Sequence, residues 1–200
     1  MKKWLKYIIA GIIIVTVCFA YAHIDKANNI YDTKTDNSSY VSVNIFADSY
    51  ISQTFQCSED SMDGIAAKIF RNGTSEEGEL IYSIQDESGQ ELTKGGFSIN
   101  NIKSGKINLI KFSEPIEGSN NKFFTVYFRQ KGLAENESLG IYYDPVGEKT
   151  GELKVNDEKI EGTMVFRTIT HRFDMETFIV VLGFVVYFVL FFKILYRLFS

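Results

Sequence analysis

Residues 123–131 read FFTVYFRQK. In an extended chain successive side chains point to opposite faces, so Phe124, Val126 and Phe128 share one side. Thr125, Tyr127 and Arg129 share the other. This is the pattern of a strand with one face on a core and the other in water.

The same rhythm continues in both directions. Toward the N-terminus, Leu80, Tyr82 and Ile84 alternate up to the turn signal Asp86-Glu87-Ser88-Gly89. Before them come Ile65, Ala67 and Ile69, and earlier still Ile51, Gln53, Phe55 and Cys57. Phe97 and Ile99 predict a short strand. Either Ile107 and Leu109 or Ile110 and Phe112 predict another, which Pro115 should stop. Toward the C-terminus, Leu139, Ile141 and Tyr143 run into Asp144-Pro145. Leu153 and Val155, then Met164 and Phe166, flank Asn156-Asp157-Glu158. Eight or nine short strands without helical spacing between them predict a mainly β fold, an antiparallel β-sandwich. A jelly roll fits the count. An immunoglobulin-like sandwich lacks its Cys–Trp–Cys support, because the single Trp is Trp4.

The two ends differ from the middle. Tyr7 to Ala22 is an uncharged run of 16 residues, preceded by Lys2, Lys3 and Lys6. With Trp4 and Leu5 it approaches the roughly 20 residues that cross a bilayer. Ala20-Tyr21-Ala22 also fits a signal-peptide cleavage site, so this end reads as an uncleaved anchor or a cleavable leader. At the other end Thr177 to Tyr196 is a 20-residue apolar stretch broken only by Lys193, which can snorkel to the headgroups. Between His23 and Arg172 there are 16 Lys+Arg against 23 Asp+Glu, whereas Lys2, Lys3, Lys6, Lys193 and Arg197 lie at the ends. Basic residues favour the cytoplasmic side, so both termini are expected inside and the middle outside. The expected organisation is a tail and transmembrane helix over 1–22 and a juxtamembrane linker over 23–49. An extracytoplasmic sandwich over 50–172 and a second transmembrane helix with a short tail over 173–200 follow.

Composition narrows the class. A chain of 200 residues with 45% hydrophobic and 23% charged residues is too apolar for a disordered protein. Two Cys exclude a disulfide-stapled scaffold. A net charge of −4 gives no footprint for nucleic acid. One cysteine, Cys57, lies in the middle, so that region holds no internal disulfide.

The segments ISQTFQC, GIAAKIF, GELIYSIQDESGQ, FFTVYFRQKG, SLGIYYD and GTMVFRT, within about Tyr50 to Thr168, carry a family resemblance. They resemble the extracytoplasmic jelly-roll domains, galactose-binding or carbohydrate-binding-module-like, of bacterial membrane proteins that build cell-surface polysaccharides. The likeness lies in strand rhythm and the QDESG turn. It implies a sandwich in a cell-envelope glycan setting and carries over no sugar-contacting residue.

Chemistry-bearing residues are few and scattered. His23 and His171 sit beside the apolar ends, away from any candidate nucleophile. No Cys/His metal spacing and no phosphate-binding glycine loop occur, so no cofactor is expected. Glu59, Asp60 and Asp63 could offer oxygens to calcium but read as a solvated acidic loop. Glu76-Glu77 and Glu135/Glu137 are the acidic pairs a glycosidase would need, and they read as turn carboxylates. The best ligand-binding cluster is Tyr142, Tyr143 and Asp144, with one tyrosine facing outward at a strand end. The expectation is a non-enzymatic, membrane-anchored accessory module that binds envelope glycan or glycolipid. The alternative is an interaction or assembly subunit of a membrane glycosyltransferase or other envelope complex. The bilayer is the first partner. The aromatic C-terminal helix is a candidate surface for a membrane-protein partner, and its Gly183 offers a close approach.

Overall fold

The computed structural model describes residues 3–134, 136–147 and 151–199. One sheet joins β2 (Val41–Ile45), β9 (Ser138–Asp144), β4 (Ser61–Asn72) and β7 (Lys106–Glu117) in that order. The other joins β3 (Tyr50–Gln56), β8 (Phe123–Lys131), β5 (Glu79–Asp86) and β6 (Glu91–Ser98). All these pairings are antiparallel. From β2 to β9 the chain changes sheet at every connection except the β5–β6 hairpin. Two four-stranded sheets wired in this order are a jelly roll. The remaining strands extend it. β10 (Leu153–Val155) adds to the free edge of β3, and β11 (Glu158–Ile160) adds to β10. β12 (Thr163–Met164) runs along β9 and β13 (Phe166–Phe173) along β4, with β1 (His23–Asn29) outside β13.

The inward faces are those the alternation predicts. Ile51, Gln53, Phe55 and Cys57, Leu80 and Ile84, and Val126 and Phe128 are fully buried. Phe55 of one sheet meets Phe166 of the other edge-on at 5.1 Å, a favourable quadrupole geometry across the core. Gln53 is the polar member of this face. Its Oε1 accepts the Met164 N–H at 3.1 Å, which offsets its burial and ties β3 to β12. Asn156 and Asp157 close the β10–β11 hairpin with φ of 48° and 68°, the left-handed pair that a two-residue turn requires.

The structure corrects four expectations. Residues 23–49 are not a linker, because β1 and β2 lie within them, and Ile45 is buried. β1 reads HIDKANN, a polar sequence suited to a sheet edge, where few side chains meet the core. The compact sandwich unit accordingly spans 27–170 rather than 50–172. Pro115 does not stop β7. It falls in the irregularity where Met62 pairs with Ile116 and Gly64 with Lys111, on a strand with no neighbour beyond it, so no ladder bond is lost. Ile99 is buried in a short 3₁₀ turn after β6, not in a strand.

A second compact unit comprises residues up to 26 and from 171 onward. It contains α1 (Lys3–Tyr21) and α2 (Met175–Phe199), both long and apolar enough to cross a membrane. At about 1.5 Å per residue, the 25 residues of α2 exceed the roughly 30 Å hydrocarbon core. The helices pack on each other. The covered stripe is Ile14 and Cys18 on α1, continued by Ala22 just after it, at i, i+4 and i+8. On α2 it is Phe178, Val181, Leu182 and Val185. The Asp174 N–H donates to the Ala22 carbonyl at 2.8 Å, so the end of α1 meets the start of α2 and the helices run antiparallel. Asp174 also caps α2, its Oδ1 accepting the Thr177 N–H at 2.7 Å. Gly183 lies off the α1-facing stripe, and a Cβ there would meet nothing. Lys2 and Ser200 lie outside the described residues.

Candidate functional site

Outward residues of the sheet that contains β9, β4 and β13 build a groove: Lys68 and Arg167 line it, and Tyr142 stands beside Lys68 outside the lining. Lys68 points out of β4 because Ala67 and Ile69 point in. By the same parity Arg167 leaves β13 between buried Phe166 and Thr168, and Tyr142 leaves β9 next to Ile141. The connection from β1 to β2 supplies the other wall. Its Tyr31 is 9% exposed and meets Tyr40 edge-on at 6.0 Å. Arg167 Nη2 donates to the Tyr31 hydroxyl at 3.2 Å. Lys68 Nζ lies 5.0 Å from the centre of the Tyr40 ring and 4.7 Å from that of Tyr142, so one ammonium sits against two π faces. Phe70 buttresses Tyr142 edge-on at 5.6 Å. The cavity is walled by Tyr31, Tyr40, Lys68, Lys106, Val165 and Arg167 and has a volume of about 420 Å³.

Three cations, Lys68, Lys106 and Arg167, stand on the groove walls. Among the described residues Lys68, Lys106 and Arg167 form no ion pair. The buried Nε of Arg167 has no hydrogen-bond partner. Burial raises the Tyr40 phenol above its ordinary range, helped by Tyr31, Asp144 and Asp32 and opposed by Arg167. The outer face of the other sheet has similar residue types in a different electrostatic state. There Lys94 pairs with Glu91 at 2.8 Å and Lys154 with Glu152 at 2.7 Å.

The structure separates the three residues singled out from the sequence. Tyr142 lines the same outward surface as Lys68. Tyr143 turns inward and packs against the core. Asp144 is 1% exposed and holds the following loop, its Oδ1 accepting the Val146 and Gly147 N–H groups at 3.0 Å each. Burial pushes the Asp144 carboxyl up, but the Thr35 hydroxyl and the Gly147 and Val146 amides outweigh it and hold the group below the usual range. A depressed folded-state value gives stability that is complete above the unfolded carboxyl's pKa of about 4. That stability is lost as pH falls through the folded value. Asp144→Asn keeps an acceptor for both amides but cannot ionise. Melting curves of the full chain between roughly pH 2 and 6 should therefore show a shallower acid decline for the variant. Parallel declines would show that Asp144 is not linked to folding.

The other carboxylates have local partners. Glu137 Oε1 accepts the Thr74 and Ser75 N–H groups at 2.7 and 2.8 Å, anchoring that loop. Glu76 and Glu77 are exposed, and Glu135 lies outside the described residues. Glu59 contacts Asn28, Asp60 contacts Asn120 and Asp63 contacts Ser61, so the three point to different neighbours. Among the described residues no group of three His, Cys, Asp or Glu could hold a metal ion.

Fold and site together define a jelly-roll β-sandwich flanked by two apolar helices, with a cationic, tyrosine-walled groove on one outer face. No protein-family model matches the chain, and no curated protein matches it. Among solved structures it is similar to the VP2 subviral particle of infectious bursal disease virus, with 13% identity and a TM-score of 0.31, over 76% of this chain and 38% of that one. The Gx strain of the same virus gives 12% identity and a TM-score of 0.32, over 76% and 37%. The chain thus spans less than two-fifths of the length of these neighbours. The jelly-roll assignment rests on the strand order.

Proposed function

We propose that this protein is a non-enzymatic module, anchored in a bacterial cell membrane by α1 and α2, that presents its sandwich outside the cytoplasm and binds envelope glycan or glycolipid. The observation that carries this reading is the groove walled by Tyr31, Tyr40, Lys68 and Arg167. It joins a preformed concavity to convergent polar groups, which is the usual build of a ligand site. The sequence resemblance to polysaccharide-biosynthesis domains supports the glycan setting. The test is retention of the full chain, reconstituted in nanodiscs, on immobilised envelope glycans. Retention weakened by Tyr40→Ala is the expected result. Equal retention of the wild type and a groove-filling Val165→Trp variant would overturn the reading.

A second reading, an assembly subunit for a membrane enzyme, has its own observation. On α2 the exposed residues Phe184, Tyr187, Phe188, Phe191 and Phe192 lie outside the α1-facing stripe, with Tyr187 and Phe191 stacked at 6.0 Å. Replacing Thr177–Tyr196 with a leucine span keeps the anchor and erases that surface. Loss of a co-purifying membrane protein after the swap would favour this reading, and unchanged recovery would exclude it.

A further inference from the structure

We infer that the groove selects an anionic glycan, one bearing carboxylate or phosphate groups, and that it recognises charge rather than sugar faces. The inference rests on the glycan-binding reading above and specifies its ligand. A neutral-sugar site offers bare aromatic faces and paired polar groups. Here a face of Tyr40 and a face of Tyr142 are taken by the Lys68 ammonium, at 5.0 and 4.7 Å, and Tyr142 also meets Phe70 in a T-shaped contact. The rings therefore position a cation instead of stacking on a sugar.

That cation has no carboxylate partner among the described residues, and neither has Arg167 or Lys106 on the same walls. The Tyr31 hydroxyl orients the Arg167 guanidinium through Nη2, while its Nε is buried and unpartnered. A planar guanidinium matches carboxylate or phosphate oxygens in a bidentate geometry, and the ammonium adds a point charge beside it. The acids that act on the Tyr40 phenol are Asp144 and Asp32. Asp144 is buried and holds the Val146 and Gly147 amides, and Asp32 Oδ1 accepts the Lys34 N–H at 2.8 Å. Both are engaged by backbone rather than by the groove cations. These three cations around one concavity stand out in a segment whose 23 acids outnumber its 16 bases between His23 and Arg172. Lys94 and Lys154 on the other sheet are paired, whereas Lys103, Lys122 and Lys131 have, like the groove cations, no ion pair among the described residues.

The test uses the full chain in nanodiscs of neutral lipid, titrated with three polymers: polygalacturonate, a polyol-phosphate chain and a neutral glucan. Both charged polymers should bind, with affinity falling as salt rises from about 50 to 500 mM because exposed charges are screened. Neutral glucan should not bind. Lys68→Met keeps the length and packing of the stem and removes the charge. Combined with Arg167→Gln it should weaken charged-polymer binding by about a hundredfold, roughly tenfold for each charge-assisted interaction removed. A Lys94→Met control, at a paired lysine on the other sheet, should have no effect. Preference between the two charged polymers tells carboxylate from phosphate recognition. Neutral glucan binding as well as the charged polymers, untouched by the double variant, would overturn the charge inference and leave glycan binding standing. No binding of any polymer would overturn both. Binding only to vesicles of anionic lipid would assign the groove to headgroups and overturn both as well.

Discussion

Phe128→Ala will lower the unfolding free energy of the sandwich by ~3–5 kcal/mol, the cost typical of emptying a buried phenylalanine site. Phe128 is fully buried at the centre of β8, opposite Ile51 of β3 on one side and Tyr82 of β5 on the other. Its ring cannot be replaced by collapse, because both flanking strands are held in register. Val126→Ala, two residues along the same face, removes less volume and should cost less, about 1–2 kcal/mol. Denaturant titration of the full chain in detergent, followed by the β signal in circular dichroism, measures both. A neutral Phe128→Ala, or a Val126→Ala that costs more, would mean that the face of β8 is inverted.

The second large effect is all-or-none. A cysteine placed at Asn72 should react with a membrane-impermeant thiol reagent in intact cells, whereas one at Ser200 should stay protected. Asn72 is exposed at the end of β4, and the native Cys18 and Cys57 are both buried, so background labelling is low. The antiparallel packing of α1 on α2 makes the sidedness of one helix imply that of the other. The same packing bears on Ala20-Tyr21-Ala22. Ala22 is fully buried, and its carbonyl accepts the Asp174 amide. Intact mass of the membrane-extracted protein should therefore include residues 1–22. A mass beginning at His23, or labelling at Ser200 alone, would refute the two-helix anchor.

The sandwich was legible where one face alternates with the other. In β3, β4, β5 and β8 the inward residues are mostly apolar at period two, with Gln53 and Gln130 the polar members, and burial follows the parity apart from the small Ser52 and Ala66. β1 was illegible for a physical reason: HIDKANN has no apolar face, and it is a strand because β13 offers an edge to pair with. Pro115 misled because the rule against proline holds for paired positions, and it occupies an unpaired irregularity on an outer strand. The groove was half legible. The parity of β4 places Lys68 outward, as that of β9 places Tyr142. What no local pattern reveals is that Tyr31 and Tyr40, within the segment read as linker, lie over those strands. Charge and ring meet across more than sixty residues of chain between Lys68 and Tyr142, which only the completed sheet order brings together.

The pairing of β1 with β13 has a consequence in time. The first strand to leave α1 finds its neighbour only in the last strand before α2. Most other ladders also join distant segments, as β2 with β9 and β3 with β8 do. Topologies dominated by such pairings fold slowly, in about milliseconds to seconds, because loop closure precedes any gain from contact. While the chain is being made, β4 and β9 have open edges and apolar faces without cover, which is when such a chain is most exposed to aggregation. Completion therefore coincides with delivery of the second helix, and a chain halted before β13 would stay protease-sensitive for as long as it is held there.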